Sequence, residues 1–296
     1  MQKLKKAGRI SKQAGSFLIA FIAIAALSIA SLVRGGQTLP VDSIVQRVAV
    51  SVPIIMYHSI LKDPGAAGDY VISPKLFEAD MRYLKEHGYE TVFIEDLIDY
   101  VYEDEPLPNK PVVVTLDDGY YNNLLYVLPI LEKLDLKAVI SMVGEFSVRF
   151  TEDPDLSPSY GYLNFEQIKE LADSGRVEIQ NHSYGLHSFG RRKGSMRIKG
   201  ESLEQYREVF MGDALKLQEL LEEKVGVVPT TYTYPFGLKS PETEDMLKEM
   251  GFLASMICYE KQNLIDDEES LFNLGRYNRP SGQGTESFMK RVLGGL

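Results

Sequence analysis

Apolar runs and helix-type segments alternate along the chain from about residue 50 onward. Short continuous apolar runs, typical of strands buried on both faces, occur at residues 52–58, 91–94, 111–116, 137–143, 177–180, 230–234 and 252–257. Segments with helical spacing of apolar residues predict helices at residues 74–87, 95–103, 122–134, 165–174, 202–224 and 241–250. This α/β alternation predicts a parallel sheet covered by helices, and about seven strands favour a barrel over an open sheet.

The first 50 residues have a different pattern. Five Lys or Arg residues lie within residues 1–15, and the following stretch to residue 33 is almost wholly apolar. About 17 to 20 such residues are just enough to span a bilayer, and cations that precede them stay in the cytoplasm. We therefore predict a single-pass membrane protein with a cytoplasmic basic tail (1–15), a transmembrane signal anchor (16–34), a linker (35–50) and an extracellular folded domain (51–296). The alternative is a signal peptide cleaved near Ser28, which would make the protein secreted.

The composition excludes some classes of binding partner and of site. The chain has 42 acidic and 32 basic residues and a net charge of −10, so no excess of cations is present to bind nucleic acid. Cys258 is the single cysteine, which excludes an intrachain disulfide and a cysteine-based zinc site. Because it lies in an apolar run, we interpret it as a small buried side chain rather than a nucleophile.

Polar residues that could carry chemistry follow the predicted strands. They are His58, Asp117, Asp118, His182, His187 and Tyr234. In parallel α/β folds, the C-terminal ends of the strands form the edge at which active sites assemble. Several strands that deliver polar groups to one edge therefore predict a functional site there.

Two of these motifs suggest a metal site. Asp117 and Asp118 are adjacent at a strand end and point in different directions, so one can ligate a metal while the other faces an attacking water. A helix N-cap is the alternative role for an Asp at this position. His182 and His187 lie five residues apart, and two imidazoles with one carboxylate are a common ligand set for Zn²⁺ or a similar ion. Two unrelated loop histidines are the alternative.

These motifs resemble the polysaccharide deacetylases that share the chitooligosaccharide-deacetylase (NodB) homology domain. The family's Thr-Phe-Asp-Asp-Gly motif is matched by residues 115–119, and its pair of spaced histidines by His182 and His187. The five-residue histidine spacing and the opening strand at 55–59 are similar to the branch that deacetylates poly-N-acetylglucosamine. The resemblance covers about residues 52–280 and implies a distorted (β/α) barrel of about seven strands.

The resemblance also implies an activity. It assigns Asp117 as the catalytic base, and Asp118, His182 and His187 as ligands of a divalent metal, with zinc expected and nickel, cobalt or manganese as alternatives. The implied reaction removes N-acetyl groups from a cell-surface polysaccharide that contains N-acetylglucosamine, either an exopolysaccharide or peptidoglycan. Hydrolysis of O-acetyl esters and non-catalytic glycan binding are the alternatives.

Further site residues follow from the resemblance, with two departures. The expected substrate contacts are His58, Tyr234 and Phe236, and a backbone N–H near Phe236 is expected to stabilise the oxyanion. Many family members have an Arg where this chain has Thr233, and many have a late general-acid histidine, whereas no histidine follows His187 here. The acid is therefore left open between His58 and Asp117 once protonated. Arg276 is the candidate to orient Asp117 in place of the missing Arg.

Aromatic and basic residues near the motifs have two interpretations each. Tyr184 and Tyr234 could stack on sugar rings, but tyrosine is plentiful in this chain, with 17 residues. The basic cluster at 190–193, with Arg197 and Lys199, is typical of a solvated loop, and contact with anionic wall polymers is the alternative.

Overall fold

The structure, a computed structural model, describes residues 48–294. The predicted basic tail and signal anchor, and most of the predicted linker, lie outside the described residues. Across 48–294, no helix combines the length and apolar character needed to cross a bilayer. The end of the predicted linker already belongs to the folded body, because Val50 pairs with Ile265 and the Val48 carbonyl accepts a hydrogen bond from Tyr100 Oη at 2.6 Å.

Short strands alternate with helices. The strands are β1 (Val50–Ser51), β2 (Ile54–Tyr57), β3 (Ser59–Ile60), β4 (Val71–Ile72), β5 (Glu90–Thr91), β6 (Pro111–Leu116), β7 (Ala138–Met142), β8 (Val177–Asn181), β9 (Thr231–Thr233), β10 (Ala254–Met256), β11 (Leu264–Ile265) and β12 (Tyr277–Asn278). The α-helices are α1 (Pro74–Glu86), α2 (Ile94–Tyr102), α3 (Leu128–Leu134), α4 (Gly144–Glu152), α5 (Phe165–Asp173), α6 (Leu203–Lys224), α7 (Thr243–Glu249) and α8 (Thr285–Leu293).

The main sheet is parallel and curled. Its strand order is β10-β9-β8-β7-β6-β2-β12, and β5 pairs with the beginning of β6. The segment 274–278 reaches both ends of this order: Leu274 forms a bridge to Met256 of β10, and Tyr277 pairs with Ile55 of β2. The sheet is therefore a distorted seven-strand barrel that one late segment closes, as the family resemblance implied.

The strands are buried on both faces, which explains their continuous apolar sequence. On β6, Val113 packs in one cluster with Ile54 and Val139. Its neighbours Val112 and Val114 belong to a second cluster with residues of the surrounding helices. Alternate residues of one strand thus fill the barrel interior and the layer under the helices.

The structure corrects the predicted strand at 91–94. The strand β5 ends at Thr91, and helix α2 begins at Ile94. The backbone N–H of Phe93 donates to Asp96 Oδ2 at 2.7 Å, so a carboxylate in the first helical turn satisfies an amide that would otherwise lack a partner. This polar cap outweighs the apolar run that suggested a strand.

The predicted helix at 122–134 has an unusual first part. Asn123–Val127 forms a π-helical turn before α3. Pro129 lies in the first turn of α3 and has no backbone N–H to donate to the carbonyl four residues earlier. The wider π-helical turn accommodates the hydrogen bond that Pro129 cannot donate.

Candidate metal centre and active site

Strand ends of the barrel converge on one cavity. The cavity has a volume of about 320 Å³. Its walls are formed by Met56, His58, Tyr70, Asp117, Asp118, Tyr120, His182, His187, Tyr234, Phe236, Gly237, Cys258, Arg276 and Asn278. Most of these residues follow or end strands β2, β6, β8, β9, β10 and β12, so the cavity lies at the C-terminal edge of the sheet, where the sequence predicted a site.

A wider, open cleft of about 940 Å³ lies at the other end of the strands. It is bordered by residues at strand beginnings, such as Glu90 and Lys137. Within residues 48–294, the group of side chains that could hold a metal is at the first cavity. The smaller cavity is therefore the candidate active site.

Asp118, His182 and His187 point their ligand atoms at a common centre. The Nε2 atoms of His187 and His182 lie 3.2 Å and 3.6 Å from Asp118 Oδ1, and one ligand atom from each residue lies within 4.8 Å of the others. Asp118 Oδ1 is buried without a well-aligned hydrogen-bond donor among the described residues. Two imidazole nitrogens and an under-satisfied carboxylate oxygen fit a divalent cation of the zinc type.

The tautomer of His182 is set by the backbone. Its Nδ1 lies 2.7 Å from the carbonyl oxygen of Thr233, which can only accept, so Nδ1 carries the hydrogen. The lone pair of Nε2 then faces Asp118. This arrangement, in which a carbonyl fixes the far nitrogen of a ligating histidine, is common in metal sites. Thr233, at the position of the family's missing Arg, thus contributes its main chain.

The charges of the ligand set stabilise one another. Burial raises the pKa of Asp118, but the nearby imidazoles of His182 and His187 outweigh it and hold that pKa well below its ordinary value. Burial lowers the pKa of His187, and contact with the Asp118 carboxylate more than reverses this, so the pKa is raised. His187 thus supplies positive charge beside the buried Asp118 carboxylate.

Asp117 is held by Arg276. The guanidinium Nη1 and Nη2 donate to the two oxygens of Asp117 at 2.6 Å and 2.8 Å, and Nε donates to the carbonyl of Ile257 at 3.0 Å. Arg276 is only 1% exposed. Burial raises the pKa of Asp117, but the Arg276 charge outweighs it, so the pKa is lowered and Asp117 is a carboxylate at neutral pH.

His58 lies on the other side of Asp117. Its Nε2 is 3.9 Å from Asp117 Oδ2, and its ring contacts Tyr70 edge-on with centroids 4.8 Å apart. Burial lowers the pKa of His58, although the charges of Asp117 and Asp118 oppose this. His58 is therefore largely neutral at pH 7 and can exchange a proton with a group bound in the cavity.

Comparison with known proteins places this geometry in a family. Residues 104–255, just over half of the chain, match the family model described as polysaccharide deacetylase. The chain belongs to the polysaccharide deacetylase family.

Relatives and solved structures agree with this. The poly-β-1,6-N-acetyl-D-glucosamine N-deacetylase of Escherichia coli K12 is 27% identical over 220 residues, which cover 67% of this chain and 32% of that protein. The enzyme of the same name from Staphylococcus epidermidis is 22% identical over 218 residues, 73% of this chain and 71% of that one. A de-N-acetylase from Aggregatibacter actinomycetemcomitans has the same fold, with a TM-score of 0.70, 23% identity and coverage of 82% and 100%. This chain spans about a third of the length of the E. coli relative.

The backbone of the candidate active site is strained where the strands end. Asp118, Ser183 and Phe236 all have left-handed backbone angles, with φ of 73°, 73° and 59°. Such turns redirect successive side chains, so Asp117 and Asp118 face different partners. Gly119 also has positive φ, and a Cβ there would lie 2.3 Å from Met142 Cε.

The aromatic residues that were expected to contact a sugar differ in how accessible their rings are. Phe236 is 37% exposed and lies over His187, with ring centroids 4.6 Å apart. The ring of Tyr234 is fully buried and packs against Tyr232, so it cannot stack on a sugar. The Tyr184 ring is covered by Lys216 Nζ, 3.6 Å from its centroid. Tyr234 therefore forms part of the cavity wall and does not offer its ring for stacking.

The cavity contains residues that sequence analysis missed. Tyr70, Tyr120 and Asn278 line it, and Asn278 could have been found because it follows Arg276 by two residues on an extended segment, where alternate side chains share a face. Cys258 also lines the cavity, rather than lying in the core, and its Sγ donates to the Phe236 carbonyl at 3.1 Å. Burial raises the pKa of this thiol, which leaves it protonated and unsuited to act as a nucleophile.

Proposed function

We propose that this protein is a metal-dependent enzyme that removes N-acetyl groups from a polysaccharide of N-acetylglucosamine. The observation that carries the proposal is the convergence of Asp118, His182 and His187 beside a second carboxylate, Asp117, that Arg276 holds. The names of the E. coli and S. epidermidis relatives support poly-β-1,6-N-acetylglucosamine as the polymer.

The ligand set fits a divalent cation, for which we propose zinc, with nickel, cobalt or manganese as alternatives. Asp118 Oδ1, His182 Nε2 and His187 Nε2 would hold it. When bound, it supplies Lewis acidity that polarises the acetamide carbonyl and makes a water more acidic. Three protein ligands, rather than four, are typical of catalytic zinc sites.

Asp117 acts as the base in this proposal. Its oxygen Oδ2 lies 3.9 Å from His182 Nε2, so it borders the ligand set without belonging to it. Its lowered pKa keeps it ionised, and it accepts the proton of the water that attacks the acetamide carbon. Arg276 orients both oxygens, and a backbone N–H near Phe236 stabilises the developing oxyanion.

The leaving nitrogen must receive a proton, and two groups can supply it. His58 lies within 3.9 Å of Asp117 and lines the cavity; Asp117 itself carries a proton after the attack. If His58 is the donor, His58→Gln lowers kcat by about 10²-fold or more and removes one limb of the pH–rate profile. If the profile is unchanged, Asp117 is the donor.

Two variants and a panel of substrates test the proposal. We expect Asp117→Asn to retain metal and lose about 10²- to 10⁴-fold in acetate release, as loss of a general base does. His182→Ala should lose both metal and activity, because a ligand is removed. Metal content is measured by elemental analysis, and acetate release on poly-N-acetylglucosamine is compared with release from acetylated xylan. An active Asp117→Asn, or release from xylan alone, contradicts the proposal.

We also propose that residues 16–34 anchor the enzyme in the cell membrane with the domain outside. The apolar run and the cations before it support this. Fractionation of cells that produce residues 1–296 or 48–296 tests it. Recovery of the full chain in the soluble fraction of the cell contradicts the anchor.

A further inference from the structure

A hairpin beside the metal ligands carries the basic cluster of the sequence. It follows His187 directly. Phe189 and Lys193 form an antiparallel bridge, and the N–H of Gly194 donates to the Ser188 carbonyl at 3.0 Å. The tip of this hairpin, residues 188–194, is exposed except at Arg192 and Gly194.

The base of the hairpin is firmly attached to the barrel. Ser195 Oγ lies 3.0 Å from Tyr232 Oη, and Tyr206 Oη donates to the Ser195 carbonyl at 2.5 Å. Gly194 packs so closely on the turn that carries Phe236 that a Cβ would lie 2.5 Å from the Pro235 carbonyl oxygen. The position of the hairpin relative to the cavity is therefore fixed.

Phe189 extends the aromatic surface outward from the metal centre. Phe236 contacts His187, with centroids 4.6 Å apart, and Phe189 contacts Phe236 edge-on at 5.4 Å. Phe189 nevertheless remains 64% exposed. An exposed ring held by a fixed hairpin is suited to the apolar face of a sugar, because little conformational freedom is lost on binding.

The basic residues of the hairpin differ in whether an acidic side chain pairs with them. Arg192 is paired with Glu201 and Arg197 with Glu242. In the described part of the chain, neither Arg191 nor Lys193 has a carboxylate within ion-pair distance. Lys193 Nζ lies over the Phe189 ring, 4.9 Å from its centre, so a positive charge without a carboxylate partner lies on one face of this exposed ring.

We propose that Phe189 and Lys193 form a subsite for the sugar next to the unit that is deacetylated, and that this subsite selects an N-acetylated sugar over one with a free amine. The inference rests on the proposed function, since it concerns the same polymer. The Phe189 ring supports the sugar. Lys193 repels the ammonium that a deacetylated neighbour carries at mildly acidic pH, whereas a neutral acetamide is not repelled. Such a subsite spaces the free amines along the product.

Binding measurements test the subsite separately from catalysis. The full chain with Asp117→Asn is loaded with zinc, and its Kd is measured by calorimetry for two β-1,6-linked N-acetylglucosamine pentasaccharides. One is fully acetylated, and the other has a free amine at a single internal unit. We expect the fully acetylated ligand to bind about threefold to fivefold more tightly, the size expected for an exposed charge pair, and the difference to shrink at high salt.

Each residue has its own variant. Phe189→Ala should raise the Kd of both pentasaccharides by about tenfold and leave the Kd of the N-acetylglucosamine monosaccharide unchanged. Phe189→Trp should restore the binding of the pentasaccharides. Lys193→Gln should bring the two pentasaccharides to equal Kd without weakening the acetylated one. Lys199→Gln, at an exposed lysine of the same loop, is the matched control and should keep the preference.

The outcomes separate the two proposals. If Phe189→Ala leaves the pentasaccharide Kd unchanged, or Lys193→Gln keeps the preference, the subsite is wrong even when the wild type releases acetate. If neither pentasaccharide binds, the subsite is also wrong. If the ligands bind with the expected preference but the wild type releases no acetate from them, the subsite stands and the proposed reaction fails.

Discussion

The Asp117 carboxylate receives two parallel hydrogen bonds from Arg276 in a buried setting. A guanidinium has a planar fork that matches both oxygens of a carboxylate, whereas an ammonium is a single point charge. The Arg276 Nε also binds the Ile257 carbonyl, so the side chain is fixed at three points. The orientation of the base is therefore a property of Arg276 in particular, not of positive charge in general.

Arg276→Lys tests this distinction. We expect kcat to fall by about 30- to 100-fold, equivalent to about 2 to 3 kcal/mol, because Lys retains the charge but loses the second hydrogen bond. Metal content should not change, since Arg276 does not contact the ligand atoms. Acetate-release kinetics and metal analysis check this. A variant with wild-type kcat would show that charge alone suffices.

At this scale, the sequence predicted residues within short motifs better than residues brought together by the fold. Asp118, His182 and His187 were identified from two local motifs, and the structure brings them together. Arg276 was suggested as the partner of Asp117 from a distance of 159 residues, and only strand pairing could place it. Sugar stacking, which the sequence left open for Tyr234, does not fit its buried ring. A turn at the strand end decides which way this side chain points.

The C-terminal segment is fastened to helix α1 by a buried ion pair. Arg279 Nε and Nη2 donate to the oxygens of Asp80 at 2.7 Å and 3.1 Å, and both side chains are fully buried. Asp80 also accepts hydrogen bonds from Tyr57 at 3.2 Å and Thr285 at 2.6 Å. This network holds the end of β12 against β2 and α1.

Asp80→Asn should therefore destabilise the protein by about 3 to 5 kcal/mol, because it leaves the Arg279 charge buried without its partner. Glu78→Gln on the same helix is the matched control. Glu78 pairs with Arg82 at 2.6 Å and with Lys133 at 2.9 Å in a partly exposed position, and its loss should cost at most about 1 kcal/mol. Denaturant unfolding measures both. Equal effects of the two variants would refute the role of burial.

Long elements with a clear repeat of apolar positions were predicted from the sequence, whereas short elements were not. Strands β6, β7 and β8 were predicted because each has several buried positions in a row, and helix α6 because its buried positions recur every three or four residues. Strands β1, β3, β4, β11 and β12 have two residues each, too few to show a period of two. Their pairing depends on neighbours that are distant in sequence.

The molecule contains a half-buried acid, Glu178, on strand β8 near the base of the barrel. Glu178 accepts hydrogen bonds from the Glu95 N–H at 3.0 Å and from Gln180 Nε2 at 2.8 Å. Burial raises its pKa from 4.5 to about 7, in spite of these hydrogen bonds. The folded state thus binds a proton more tightly than the unfolded chain does.

A raised acid pKa gives a defined dependence of stability on pH. The contribution is fully present below the unfolded pKa of 4.5 and is lost as the pH rises through about 7. We expect the unfolding free energy of the wild type to fall by about 1 to 3 kcal/mol more over this range than that of Glu178→Gln. Denaturant unfolding at several pH values measures the slope. Glu170→Gln, at an exposed glutamate, should keep the wild-type slope; if Glu178→Gln also keeps it, Glu178 is not the cause.

At the scale of the molecule, the sequence indicated the α/β class and the edge of the sheet that bears the site. Strand order could not be obtained in this way, since β2 pairs with a strand more than 200 residues later. The closure of the barrel depends on that pairing. The same pairing brings Arg276 and Asn278 into the wall of the cavity.

Closure by the last strand has a consequence for synthesis. All three proposed metal ligands have been translated by residue 187, whereas the arginine that orients the base comes 89 residues later. A nascent chain that has stopped before that point contains the proposed metal ligands, but it lacks the arginine that orients Asp117. The order of the sequence thus places the proposed ligands in the chain before the residue that positions the proposed base.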